Sequence, residues 1–148
     1  EVPFRRPPSL STDSTGSVPV VIHAMDVLDE KYDYVVLLQV TSPLRASSDI
    51  DECIERCEKY NVPACVSLVE CDKHPSWMFS LDEEKMMLPL IDQPKFLIRR
   101  QDAPTVFVLN GAVYVARSKW IRNNAYFISQ ETMGYVMPRD RSIDIEEI

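Results

Sequence analysis

No apolar run in the 148 residues approaches the roughly 18 that a membrane helix requires. The start is not built like a signal peptide either, because Arg5 and Arg6 lead into prolines and polar residues instead of an apolar stretch. Both absences predict a cytoplasmic protein. Positive charge is also short: 16 Lys and Arg against 23 Asp and Glu leave a net charge of −7. Sequence-independent binding to nucleic acid or to an anionic membrane needs clustered cations, so neither is expected. The local basic patches are then expected to serve small anions. Four cysteines are present, but none form a Cys-x-x-Cys pair. Cys53 and Cys57 fall on a helical pattern and Cys65 in a strand, so the four read as small buried hydrophobes, with a metal or disulfide set as the alternative. His23 and His74 are isolated and read as core or surface residues. An opening strand is missing too. Residues 1–15 are rich in Pro and Ser and read as a loop, whereas an α/β domain usually opens with a strand and a phosphate-handling turn.

What is present fits one domain with one sizeable core. Val35-Val36-Leu37-Leu38 is a short apolar run without polar alternation, the pattern of a strand covered on both faces in an α/β protein. It ends in Gln39, Thr41, Ser42 and Arg45, and ligands of open α/β sheets bind just beyond the carboxyl ends of strands. Ser17 is expected to cap a preceding helix with Val18, Val21, Ile22, Met25 and Leu28 on its apolar stripe. Ser47 or Ser48 is expected to cap a following one that buries Ile50, Cys53, Ile54 and Cys57. Residues 64–69 form a second apolar strand, expected to complete a parallel crossover with the first.

The texture changes at His74. Residues 78–81 and 86–90 read as a hairpin around a charged turn, with Trp77, Phe79, Met86, Met87 and Leu88 too large and apolar for a free-standing pair of strands. It is expected to pack on a partner subunit, the alternative being its own domain. Arg99-Arg100 offers planar forks suited to carboxylate or phosphate, or is a pair of solvated charges. Residues 105–109 and 112–116 read as strands joined by a turn or kink at Asn110-Gly111, Ser118 caps a short helix, and residues 126–128 and 133–137 are later strand candidates. If residues 142–146 are extended, Asp144 and Glu146 share a face and suit Mg²⁺. An acidic solvated terminus is the alternative.

Taken together, five stretches carry a resemblance. Leu37-Leu38-Gln39-Val40-Thr41-Ser42-Pro43-Leu44-Arg45 resembles the Leu-Gln-Pro-Thr-Ser-Pro-Leu-Arg signature of the acylneuraminate cytidylyltransferases, the CMP-sialic acid synthetases. Arg6-Pro7 with Leu10 and Asp13, Arg100-Gln101 to Pro104, Asn110-Gly111-Ala112-Val113-Tyr114, and Ser142-Ile143-Asp144-Ile145-Glu146 resemble four further family motifs in the right order.

The resemblance implies an α/β fold: three layers around a mostly parallel sheet of the nucleotide-diphospho-sugar transferase type, with a small hairpin dimerisation arm. Residues 1–148 would form a single cytidylyltransferase-like domain, residues 75–100 the arm of a homodimer. It implies an enzyme, a nucleotidyltransferase in which an oxygen of a nonulosonic acid attacks the α-phosphate of CTP and pyrophosphate leaves, with Mg²⁺ as cofactor. Arg6, Thr15, Ser17 and Gln39 would bind the nucleotide. Gln39, Arg100, Tyr114, Tyr126 and Phe127 would bind the sugar; Gln39, Arg100 and Asp144 would be the catalytic residues, with Asp144 and Glu146 holding the metal. The family's opening strand and phosphate loop have no counterpart here, so the chain is expected to be N-terminally incomplete and weak or inactive alone. Glu146 stands where the family has a second Asp; Val108 and Trp77 stand where some sialate synthetases carry Arg and Lys. A legionaminate-type substrate fits as well, and the reading from another class is a dimerising module that binds nucleotide without turnover.

Overall fold

The computed structural model describes residues 4–28, 31–91 and 99–145, with Arg100 described in its backbone alone. The order of elements is α1 (Ser17–Val27), β1 (Tyr34–Leu37), α2 (Ser47–Lys59), β2 (Ala64–Glu70), β3 (Phe79–Leu81), β4 (Met87–Pro89), β5 (Phe107–Arg117), α3 (Ser118–Asn124) and β6 (Thr132–Val136). Among the described residues no helix is long and apolar enough to cross a membrane.

All three helix starts differ in detail from the sequence expectation; at α3 the cap position falls on Arg117, and Ser118 is the first helical residue. The residue before α1 is Gly16, and Ser17 is the first helical residue without a side-chain capping bond. At α2 the cap position falls on Ala46, and the orphan backbone donor there is satisfied in reverse: the Ala46 N–H donates to the Asp49 carboxylate at 2.8 Å. An acidic group in the first turn also meets the positive end of the helix dipole.

The main sheet has the order β1-β5-β2-β6. β5 runs antiparallel to both β1 and β2, and only β2 with β6 is a parallel pair. The sheet is therefore mixed. β1 and β2 do run parallel to each other with α2 as the crossover between them, but they are not neighbours, because β5 inserts between them and pairs with each. The kink expected at Asn110-Gly111 is present as an irregularity within a single strand β5 instead of a division between two strands, and residues 126–128 are not a strand.

Helices cover both faces. On one side α2 packs Cys53 and Cys57 against Cys65, Val113, Val115 and Met137. On the other, Val21 of α1 and Ile121 of α3 pack with Ala64, Val66, Ala116 and Phe127. Along β1 the side chains alternate between the layers, Val36 to the first and Val35 and Leu37 to the second, which is why the strand reads as a continuous apolar run. The Cys53, Cys57 and Cys65 thiols are free and buried, as their spacing predicts. Burial pushes the Cys57 thiol up to about 12, so it stays protonated and inert as a packing group.

The hairpin forms from β3 and β4, which pair antiparallel as a separate two-stranded sheet. Its turn is fixed by Asp82, whose carboxylate accepts from the Met86 N–H at 2.8 Å, with Lys85 in the left-handed region at φ 67°.

Candidate functional site

The site is built around a wide bulge in β5. Leu109 pairs with Leu68 and Tyr114 with Val66, so residues 110–113 stand opposite Ser67 alone. Gly111 makes this possible at φ +72°, a conformation that side-chain-bearing residues rarely adopt. The distortion leaves backbone and side-chain polar atoms inside the protein, and these bond to one another. Ser67 Oγ donates to Asn110 Oδ1 at 2.6 Å and accepts from the Val113 N–H at 2.8 Å. Asn110, itself buried, donates through Nδ2 to Ser142 Oγ at 3.0 Å and to Met137 Sδ at 3.2 Å. Ser42 Oγ, fully buried, donates to the Asn110 carbonyl at 3.1 Å.

The exit of β1 lies against this bulge. A β-carbon placed on Gly111 would collide with Gln39 Oε1 and would stand 3.3 Å from Ser42 Oγ and 3.4 Å from Asp144 Oδ2. Glycine at 111 therefore admits two side chains, 105 residues apart in sequence, to one point over the backbone. Arg45 makes the loop rigid from below: one Nη1 reaches the carbonyls of Gln39 at 2.6 Å, Ser42 at 2.8 Å and Ala112 at 3.3 Å. Its charge is turned onto main-chain oxygens instead of toward a ligand. The segment carrying Asp144 is tied on as well, the Ile145 N–H donating to the Thr41 carbonyl at 2.8 Å.

Tyr114 completes the cluster. Burial raises its phenol above the usual range, and the nearby Asp144 carboxylate raises it further, so it remains a neutral O–H donor. Phe127 lies beneath it, buried and edge-on at 5.8 Å between ring centres.

The other expected site residues are dispersed. Tyr126 is exposed and packs edge-on against Trp120 at 5.2 Å. Arg6 and Ser17 are exposed, and the Thr15 hydroxyl pairs with that of Thr12 at 2.7 Å. No described hydrogen bond joins these three to Gln39 or Asp144. The Arg100 side chain and all of Glu146 lie outside the described residues. Sequence reasoning missed Ser67 and Asn110 as supports; the Asn110-Gly111 pair signalled a kink, and its partners are set only by strand pairing.

A cleft of about 1140 Å³ opens elsewhere, between α1, β1 and α3. It holds none of the expected site residues. Its charged lining is partly self-neutralised, since Arg122 is paired with Asp26.

The fold is α/β with a mixed sheet, similar to that of CMP:2-keto-3-deoxy-manno-octonic acid synthetase complexed with CTP, with a TM-score of 0.53 and 12% identity over 84% of this chain and 61% of that one. Sequence relatives then narrow the comparison. The chain is 33% identical to N-acylneuraminate cytidylyltransferase of Streptococcus agalactiae serotype V over 95% of its own length and 34% of the relative's. It is 30% identical to CMP-N,N'-diacetyllegionaminic acid synthase of Legionella pneumophila, over 98% of this chain and 63% of that protein. It is 26% identical to pseudaminic acid cytidylyltransferase of Campylobacter jejuni serotype O:2, over 100% and 65%. No family model matches. The chain is thus similar in sequence to acylneuraminate cytidylyltransferases and related nonulosonate enzymes, and it spans about a third of the length of the first of these relatives.

Proposed function

We propose that the chain carries the sugar-and-metal side of a site that transfers CMP from CTP to a nonulosonic acid, releasing pyrophosphate. The observation that carries this reading is the meeting of Gln39 and Asp144 over Gly111, at the exit of a central strand, with the Asp144 charge acting on Tyr114. The relatives named above act on N-acylneuraminate, diacetyllegionaminate and pseudaminate, and their common substrate chemistry is an acidic sugar.

In this reading Gln39 sits between nucleotide and sugar, its amide able to donate to one and accept from the other. Tyr114 donates from its neutral hydroxyl and, with Tyr126 and Phe127, walls the sugar side. Arg100 would pair with the sugar carboxylate, and Arg6, Thr15 and Ser17 would contact the nucleotide. The donors at the site fit Mg²⁺: the Asp144 carboxylate is exposed and hard, and the Gln39 carbonyl oxygen lies beside it. Asp144, with Glu146, would hold the ion, which when bound supplies neutralisation of charge on the phosphate oxygens. The hairpin would act as a dimerisation arm in a cytoplasmic homodimer, since Met86, Met87 and Leu88 are all exposed.

The test is pyrophosphate release from CTP with a panel of the three sugar acids, measured for this chain and for the full-length protein. Sugar-dependent release that falls about 100-fold or more in Asp144→Asn is expected. Release that is unchanged by that substitution removes Asp144 from the site. Tight CTP binding without turnover by either protein favours a non-catalytic nucleotide-binding module.

A further inference from the structure

Asp144 stands between tethers that sequence distance alone would never suggest. Ahead of it, the Arg141 fork closes on Asp49 across 92 residues of chain, Nη2 to Oδ1 at 2.7 Å and Nε to Oδ2 at 3.1 Å. The next residue, Ser142, is held by Asn110 and donates to the Pro138 carbonyl at 2.8 Å. Behind it, Ile145 is bonded to Thr41.

Asp49 is the unusual member. It is fully buried, and every side of its carboxylate is used: Ala46 N–H and Arg141 Nε on Oδ2, Tyr135 Oη at 2.9 Å and Arg141 Nη2 on Oδ1. A helix cap needs only one of these contacts and is commonly served by an exposed side chain. A buried ion pair is weak evidence for stability, since apolar packing of the same volume does as well. What this pair supplies is geometry: a planar fork locks the turn at Arg139–Arg141 to the rigid first turn of α2 in one orientation.

We propose that Asp49 and Arg141 are positioning residues for Asp144, holding the turn so that its carboxylate is presented beside Gln39 and Gly111 to a divalent cation. Neither residue touches the cation or the substrate. The inference rests on the reading of Asp144 as a metal ligand.

The test is titration with Mn²⁺, as a spectroscopic substitute for Mg²⁺, following the free-ion electron paramagnetic resonance signal. It compares the wild-type chain, Asp144→Asn, Arg141→Lys, Asp49→Asn and, as a remote core control, Ile121→Val. Lysine keeps the charge of Arg141 and loses its fork. Asparagine at 49 keeps the volume and removes the charge, giving a second variant should the first fail to fold. The expected result is binding by wild type, loss in Asp144→Asn, and about a 10-fold or greater weakening in Arg141→Lys and Asp49→Asn, with unchanged far-ultraviolet circular dichroism. Ile121→Val should bind as wild type does. Folded Arg141→Lys or Asp49→Asn with wild-type affinity overturns the positioning role. Equal weakening in Ile121→Val overturns it also, by showing general loosening. Equal affinity in wild type and Asp144→Asn, or no binding by wild type, instead overturns the metal reading on which the proposal stands.

Discussion

The bulge of β5 is buried and the β3–β4 hairpin is exposed, and they are held in opposite ways. At the bulge, the irregular backbone at Gly111 is matched by buried polar atoms that bond to one another, Ser67, Asn110 and Ser42 among them. The hairpin has regular strands and no buried residue, with Leu81, Met86, Met87 and Leu88 between 48% and 65% exposed. An irregular backbone is rigid where its polar groups are satisfied internally, because every displacement would leave a donor or acceptor unpaired. A regular hairpin without a core is held by its few ladder and turn bonds, and two strands alone are marginal in water. The first arrangement suits a site that must hold its shape. The second leaves apolar surface available for a partner.

The largest effect should come from breaking the bulge. Gly111→Val puts a β-branched side chain at φ +72° and drives its β-carbon into Gln39, so a loss of about 2 kcal/mol or more is expected by urea unfolding. A loss below about 0.5 kcal/mol would mean that the bulge relaxes freely and is not a rigid support.

A smaller effect should appear on acidification. Burial would raise the Asp49 carboxyl, but the Arg141 fork, the Ala46 N–H and the Tyr135 hydroxyl together hold it below its usual value. A carboxyl depressed in the folded state adds stability above its unfolded pKa, about 3.9, and that stability is lost as pH falls through the lower folded value. Below about pH 4 the wild-type chain should therefore lose stability with a slope of up to about 1.4 kcal/mol per pH unit from this group, and Asp49→Asn should lack that component. Identical acid limbs in the two proteins would show that the pair is not ionised in the fold.

The hairpin should respond least in stability and most in assembly. Replacing Met87 and Leu88 by Ser is expected to change the stability of the monomer by less than about 0.5 kcal/mol, because both are already open to water. Sedimentation should show a shift from dimer to monomer. A fall in melting temperature without any change in assembly would place the hairpin against its own domain, and the contrast with the bulge would disappear.

Much of the scaffold could be read from local patterns. The β1 run, the buried stripe of α2, the hairpin and the later β6 strand all lie where their periodicity puts them, because each depends on residues within a few positions of one another. Gln39 and Asp144 were legible as candidates through motif resemblance, while the atoms that hold them were not. Ser67 looks like one more strand residue, and Asp49 like one more acidic residue on a helix that carries several.

The sequence by itself determined most of the strands and helices and the buried stripe of α2; its pattern also predicted a strand at 126–128, which does not form, and burial of all four cysteines, whereas Cys71 is only half-buried. Tertiary structure alone decided that β5 would enter between β1 and β2, that residues 110–113 would bulge opposite Ser67, and that Asp49 would meet Arg141. The physical reason is range. Periodicity is written by neighbours three or four residues apart, whereas strand order and buried polar pairing are settled by which distant segments can satisfy one another's hydrogen bonds in a single closed core.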